Sequence, residues 1–219
     1  MDTVTPIEKM INSIKFLPRL FSYQLILAHK KKKFFKKEPN KSMDEWDNKE
    51  DCLIDKFVLV GVFIAFISVF IADFLLNMNL GLIREIILWI FIIWGILRIG
   101  DIVTYQLYAL LVTRGADLHS PQRMIALLLI NYLEILFWFA LFYRCFNSWF
   151  SEGIKSISGS FYFSTVTMTT LGFGNIRPIQ WPGMFFVSLQ TLIGIFVALV
   201  LLARFIPALG EFENKRKDP

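Results

Sequence analysis

Four stretches of this 219-residue chain, near 57–76, 84–104, 123–146 and 183–206, are almost wholly apolar. Each is about 20 residues long, the length a helix needs to cross a hydrocarbon core about 30 Å thick. Lipid offers no partner to open backbone groups, so each is expected to be a helix. Composition agrees, because 55% of the residues are hydrophobic, against roughly 45–50% apolar usage in soluble domains. The mean hydropathy of +0.54 points the same way. The fold class expected is therefore an all-α integral membrane protein with four transmembrane helices. No cleavable signal peptide is visible, since the chain begins acidic and its first apolar run, "FLPRLFSYQLIL", is broken by Pro18 and Arg19.

Basic residues orient these helices. They crowd "HKKKKFFKK" (His29 to Lys37), recur at Arg114 and Arg123, and close the chain in "NKRK" (Asn214 to Lys217). The opposite loops carry few, Arg84, Lys155 and Arg177. An even number of crossings returns both termini to one side, and the positive-inside bias makes that side cytoplasmic, together with the 105–122 loop. The expectation is a multi-pass protein of the cell membrane, and this asymmetry also explains the net charge of +5.

Residues 1–55 read as a cytoplasmic segment in two pieces. The first sets Ile7, Met10, Ile11, Ile14, Leu17, Phe21 and Leu25 on one helical stripe opposite Glu8, Lys9, Asn12, Lys15 and Arg19. Such a helix lies flat on a membrane surface. The second is the polybasic run with Phe34 and Phe35 interleaved. Beside membrane spans it suits anionic lipid headgroups, at about 1 kcal/mol per basic residue, or serves only as a solvated orientation signal. Nucleic acid is not expected as a partner. The N-x-S match at Asn40 falls in this cytoplasmic segment, so no glycosylation is expected there.

Catalytic chemistry has little to stand on. Cys52 and Cys145 lie outside any metal-ligand spacing and read as free thiols. His29 and His119 have no His, Cys or carboxylate at ligand spacing. Neither an enzyme nor a bound cofactor is expected.

Between the third and fourth apolar runs lies a shorter one, "GSFYFSTVTMTT" (Gly159 to Thr170), about a dozen residues and so half a crossing. A re-entrant helix is the natural reading. Its return, "TLGFGN" (Thr170 to Asn175), must be irregular, and irregular backbone at membrane depth survives only when buried in protein or lining a water-filled cavity. Gly172 and Gly174 supply positions free to turn left-handed, so that successive carbonyls can point to one side. Aimed at a common axis, such oxygens and the Thr170 hydroxyl can replace the water shell of a monovalent cation. No charged side chain lies between Thr165 and Asn175. A surface turn would also use Gly and Asn, but it would leave the half-length apolar helix unexplained.

"TTLGFG", preceded by a short aromatic-rich helix and followed by a glycine-bearing span, resembles the pore domain of the tetrameric K⁺ channel family. That family's signature is Thr-x-Gly-Tyr-Gly, with Phe a known substitute for Tyr. The resemblance covers about 123–210 and leaves two peripheral helices and their loop at 56–122 and a short cytoplasmic tail at 211–219. It implies that Thr170, Leu171, Gly172, Phe173 and Gly174 form the ion-conducting filter, flanked by Thr169 and Asn175, with K⁺ at Thr170, Leu171, Gly172 and Phe173. Gly183 and Gly194 match further family positions, the latter an inner-helix hinge. One loop per chain implies a homotetramer, because a ring of carbonyls needs four contributors. Spacing from the filter suggests a cavity and gate stripe of Ile195, Ala198, Leu202 and Ile206, closing by dewetting. Pro207 is expected to end or bend that helix.

Two departures stand out. Asn175 replaces the family's usual Asp and removes a charge at the outer mouth. Phe173 lacks the hydroxyl that Tyr would use behind the filter, so rigidity there must come from packing. The implied function is a potassium-selective channel, with a non-selective monovalent cation channel as the alternative. A transporter subunit of the related kind would carry four such loops in one chain, and this one has one. Voltage gating is not indicated, since Arg84 and Arg98 make no repeated array. The intramembrane charges are Asp73, Arg98, Asp101 and Glu134. Arg98 and Glu134 are expected to meet between helices, either as an ordinary structural pair or as a coupling of the peripheral helices to the pore.

Overall fold

The computed structural model describes residues 43–78, 81–112, 121–151 and 154–217. The amphipathic stripe, the polybasic run and residues 113–120, with Arg114 and His119, lie outside the described residues. The elements are α1 (Met43–Leu76), α2 (Gly81–Val112), α3 (Pro121–Cys145), a 3₁₀ turn (Asn147–Trp149), α4 (Ile157–Met168) and α5 (Trp181–Lys217). Among the described residues there is no strand, only an isolated bridge between Phe150 and Pro178. Four helical segments are long and apolar enough to cross a membrane: Asp51–Leu76, Gly81–Leu107, Arg123–Cys145 and Trp181–Ile206. The protein is an all-α integral membrane protein.

The helices outrun their apolar windows. Helix α1 starts at Met43 and α2 persists to Val112, so the first part of the expected 105–122 loop is helix. Apolar length marks only the part that can sit in hydrocarbon, and backbone hydrogen bonds continue for as long as the residues suit a helix. Of the two outcomes expected at Pro207, an end of the last helix is overturned, because α5 continues to Lys217. A proline withholds a single amide bond, and neighbouring turns can hold the helix across it.

The chain divides into two units, residues 1–57 with 100–118 and residues 58–99 with 119–219. Within the first, Ile102 and Gln106 are buried, and neither polar atom of the Gln106 amide has a hydrogen-bond partner. Cys52 is exposed there.

The second unit is organised around α3. From Trp138 to Tyr143 every consecutive side chain is buried, whichever way it faces. Aromatic contacts with other elements surround that stretch: Phe66 on Phe137, Phe142 on Phe186, and Tyr143 edge-on to Phe150 and Phe163. The opposite faces of α1 and α2 expose large apolar side chains such as Phe63, Phe74, Leu82 and Ile90. Such a band is what lipid or a protein partner covers.

Two ion pairs join the peripheral helices to α3. Arg98 of α2 meets Glu134 in a fork, Nε to Oε1 at 2.8 Å and a terminal nitrogen to Oε2 at 2.9 Å. The Trp138 indole N–H also donates to Glu134 Oε1, at 3.4 Å. Arg98 is 6% and Glu134 0% exposed, so both charges have left water together. Helix α1 approaches the pair at Gly61, where a Cβ would lie 2.6 Å from the guanidinium and 2.8 Å from both carboxylate oxygens. Nearer the other end of α3, Arg144 Nε donates to Asp73 Oδ1 of α1 at 2.6 Å.

Removing one member of a buried pair strands the other charge, at about 3–5 kcal/mol. Glu134→Leu is therefore expected to destabilise the protein by about that amount in reversible unfolding from detergent. Arg98→Met with Glu134→Leu should cost much less than the two single changes summed, and a double-mutant cycle showing simple additivity would refute the pairing.

Candidate functional site

Helix α4 is 12 residues long, hence about 18 Å, which is too short to cross a bilayer. Ser156 caps its start by accepting the Gly159 amide at 3.1 Å. Hydroxyls of the helix turn back on it: buried Ser160 Oγ donates to the Ile157 carbonyl and exposed Thr165 Oγ1 to that of Phe161, each at 2.8 Å. The helix can therefore sit between α3 and α5 with Ser160, Phe163, Ser164, Val166, Thr167 and Met168 buried.

A polar network fixes it in that slot. Ser164 Oγ donates to the Leu136 carbonyl of α3 at 2.7 Å. Gln190 Nε2 of α5 donates to the Ser164 carbonyl at 3.0 Å and to its Oγ at 2.9 Å. Tyr143 of α3 completes the chain by donating to Gln190 Oε1 at 2.5 Å. Ser164, Gln190 and Tyr143 are all buried. In a low-dielectric interior, satisfied bonds of this kind hold three helices in one register.

Beyond Met168 the backbone winds down against its own helix. The amides of Thr169, Thr170 and Leu171 bond to the carbonyls of Thr165, Thr167 and Val166 at 2.9, 3.1 and 3.0 Å. Then the handedness alternates: φ is +60° at Thr170, +54° at Gly172 and +78° at Gly174, and not positive at Leu171 or Phe173. Alternation of this kind can gather successive N–H groups on one side of the chain. Nothing lies within 4 Å of where a Cβ would stand on Gly172 or Gly174. The backbone angle, not lack of room, calls for glycine at these two positions. A β-branched residue at positive φ is a genuine outlier, and Thr170 is the one non-glycine residue with positive φ among the described residues.

The alternating segment lies open on the chain, with Leu171 63% and Phe173 66% exposed. Phe173 stacks on Tyr162 of α4, with ring centroids 6.3 Å apart and planes 7° from parallel. The Tyr162 hydroxyl donates to Asn175 Oδ1 at 3.4 Å. Packing by Tyr162 thus stands behind the residue that lacks a hydroxyl of its own. The return segment is tied to the loop before α4: Ser151 N donates to the Arg177 carbonyl at 2.9 Å, and Ile179 N to that of Trp149 at 2.8 Å.

At the base of this segment is a concavity of about 420 Å³ lined by Tyr132, Met168, Thr169, Thr170, Gly194, Ile195, Ala198, Leu199 and Leu202. The structure therefore gathers three of the stripe residues, Ile195, Ala198 and Leu202, with Gly194 and the start of the glycine motif. Ile206 is exposed and lies outside the concavity. The C-terminal end of α4 opens here through Met168, and a helix C-terminus carries roughly half a negative charge. A cation in the concavity would be favoured without any carboxylate.

Residues 130–211 match a family model described as an ion channel. The match supports an ion channel. It runs from α3 through α4 and the alternating segment into α5, the same elements that build the concavity. A channel of the K⁺ channel-like kind fits both observations. No curated protein and no solved structure matches the chain.

Several contributors escape a reading of sequence alone. Gln190 carries a signal, being a lone amide in a long apolar run, and so does Arg144, a charge closing another. Tyr143, Ser164 and Tyr132 carry none, because hydroxyls are common in such helices. Gln190→Leu leaves the Ser164 carbonyl and the Tyr143 hydroxyl short of buried partners, at about 1–3 kcal/mol in unfolding measurements. Tyr143→Phe should cost a similar amount, about 1–3 kcal/mol, because it strands the buried Gln190 Oε1. Equal, negligible effects of both changes would show that the network does not hold α4.

Proposed function

We propose that the protein is a potassium-selective channel in which four copies surround a common axis. Main-chain carbonyls of Thr170, Leu171, Gly172 and Phe173, with the Thr170 hydroxyl, replace the hydration shell of K⁺ as it passes. The observation that carries this reading is the alternation of positive φ at Thr170, Gly172 and Gly174 within a segment that a single chain leaves open. Strain of this kind persists only where surrounding structure imposes it, and it concentrates at functional sites. Packing of α4 between α3 and α5 supplies the imposition.

In this arrangement Ile195, Ala198, Leu202 and Ile206 line an inner vestibule, and the apolar ring at Leu202 or Ile206 gates by dewetting. Thr169 and Asn175 flank the two ends of the filter. Both termini face the cytoplasm of a cell-membrane protein, and anionic lipid meets the polybasic segment. The buried Arg98–Glu134 pair supports a role in fixing the peripheral helices to the pore. K⁺ is the permeant ion, not a cofactor.

The test is flux through purified protein in liposomes with K⁺ on one side and Na⁺ on the other. The reversal potential should lie near that of K⁺. A reversal near zero would favour the non-selective cation channel, and no flux from folded protein would end the channel reading. Gly172→Ala is expected to abolish selective conduction, because a Cβ at that φ costs about 1–2 kcal/mol per copy and so about 4–8 kcal/mol in a ring of four.

A further inference from the structure

Gly194 is buried inside α5, which runs unbroken from Trp181 to Lys217. A Cβ on Gly194 would stand 2.6 Å from the carbonyl oxygen of Met168, 3.4 Å from its carbonyl carbon and 3.3 Å from its sulfur. Non-bonded heavy atoms settle at about 3.5–4.0 Å, and the nearest obstacle here is backbone, which cannot swing aside as a side-chain tip can. Met168 is the last residue of α4 and is buried. Its carbonyl is among the last four of the helix, which lack intrahelical amide partners. Two residues on, Thr170 opens the left-handed alternation. Between them, the amide bonds of Thr169, Thr170 and Leu171 to α4 make the helix end and the start of that segment one piece.

We propose that Gly194 is the seat on which α5 bears against the base of the filter, a positioning role distinct from that of a hinge. A hinge uses a glycine's backbone freedom, whereas a seat uses its lack of volume. Gly194 is not among the glycines with positive φ, and the helix does not break at it, so this conformation uses no such freedom. What it does use is the space of the missing Cβ. A lateral shift of α5 is then passed through the Met168 carbonyl to the first oxygens of the filter, so the inner helix helps set the width on which selectivity depends. This inference deepens the channel reading and rests on it.

Full-length protein carrying Gly194→Ala separates the two roles. The seat predicts a lower melting temperature in detergent and a fall of about tenfold or more in the K⁺/Na⁺ permeability ratio in liposomes. Gly194→Ala combined with Ala198→Gly restores a flexible residue one turn along but not the space at Met168, so it should remain as impaired. An unchanged permeability ratio and melting temperature in Gly194→Ala, or recovery in the double variant, overturns the seat. If the unmutated protein passes no cation, the channel reading fails, yet the contact is still decided by whether Gly194→Ala melts lower. Should the variant not fold alone, assemblies mixed with unmutated copies give the answer: a graded loss of the permeability ratio supports the seat, and an unchanged ratio overturns it.

Discussion

A helix too short to cross the membrane leaves its chain in the wrong place to turn around, and the organisation of the second unit follows from that constraint. In hydrocarbon every open amide and carbonyl must find a partner. Helix α4 meets the constraint with its own hydroxyls, with Ser156 at its start, and with Gln190 and Tyr143 from its neighbours. The segment beyond it keeps its first amides on α4 and then turns left-handed at every second residue.

Helix α3 plays the complementary part. It offers an anion, Glu134, to α2 and a cation, Arg144, to α1, so each peripheral helix is joined to it by one charge of opposite sign. A slide along the axis or a rotation of either peripheral helix would separate a pair in low dielectric. Apolar surfaces alone cannot specify register in this way, because lipid tails are as apolar as the side chains they replace. Such pairs fix arrangement more than they stabilise it, since desolvation offsets most of the attraction.

Much of the architecture was legible in the sequence for a simple reason: bilayer thickness turns apolar length into helix count. The same rule exposed the half-length run before "TLGFGN", and glycine spacing exposed the alternating segment. Helix ends were less legible, because hydrocarbon length says nothing of how far a helix continues into water, as α2 to Val112 and α5 beyond Pro207 demonstrate. Pairing of Arg98 with Glu134 was readable because isolated charges in a span demand partners. Asp73 with Arg144 was half readable, its cation hidden at a helix end where basic residues are ordinary. The Ser164, Gln190 and Tyr143 network was not, since which hydroxyls face one another depends on helix rotation that apolar-rich sequences barely encode.

Glycine shows most clearly where sequence stops. Gly172 and Gly174 have empty space where a Cβ would go and a backbone angle that other residues resist, while Gly61 and Gly194 have helical backbone and no space at all. In the sequence these are the same letter. Exchange for alanine therefore fails for opposite reasons: strain confined to the residue itself in the first case, displacement of a neighbour in the second. At Gly61 the displaced neighbour is a buried ion pair, and at Gly194 it is the carbonyl that ends α4. At Gly61 helix α1 thus bears on side chains that are held by their own ion pair, whereas at Gly194 helix α5 bears on the backbone that ends α4. The backbone contact at Gly194 has no rotamer to yield, so movement of α5 there must appear as movement of the end of α4.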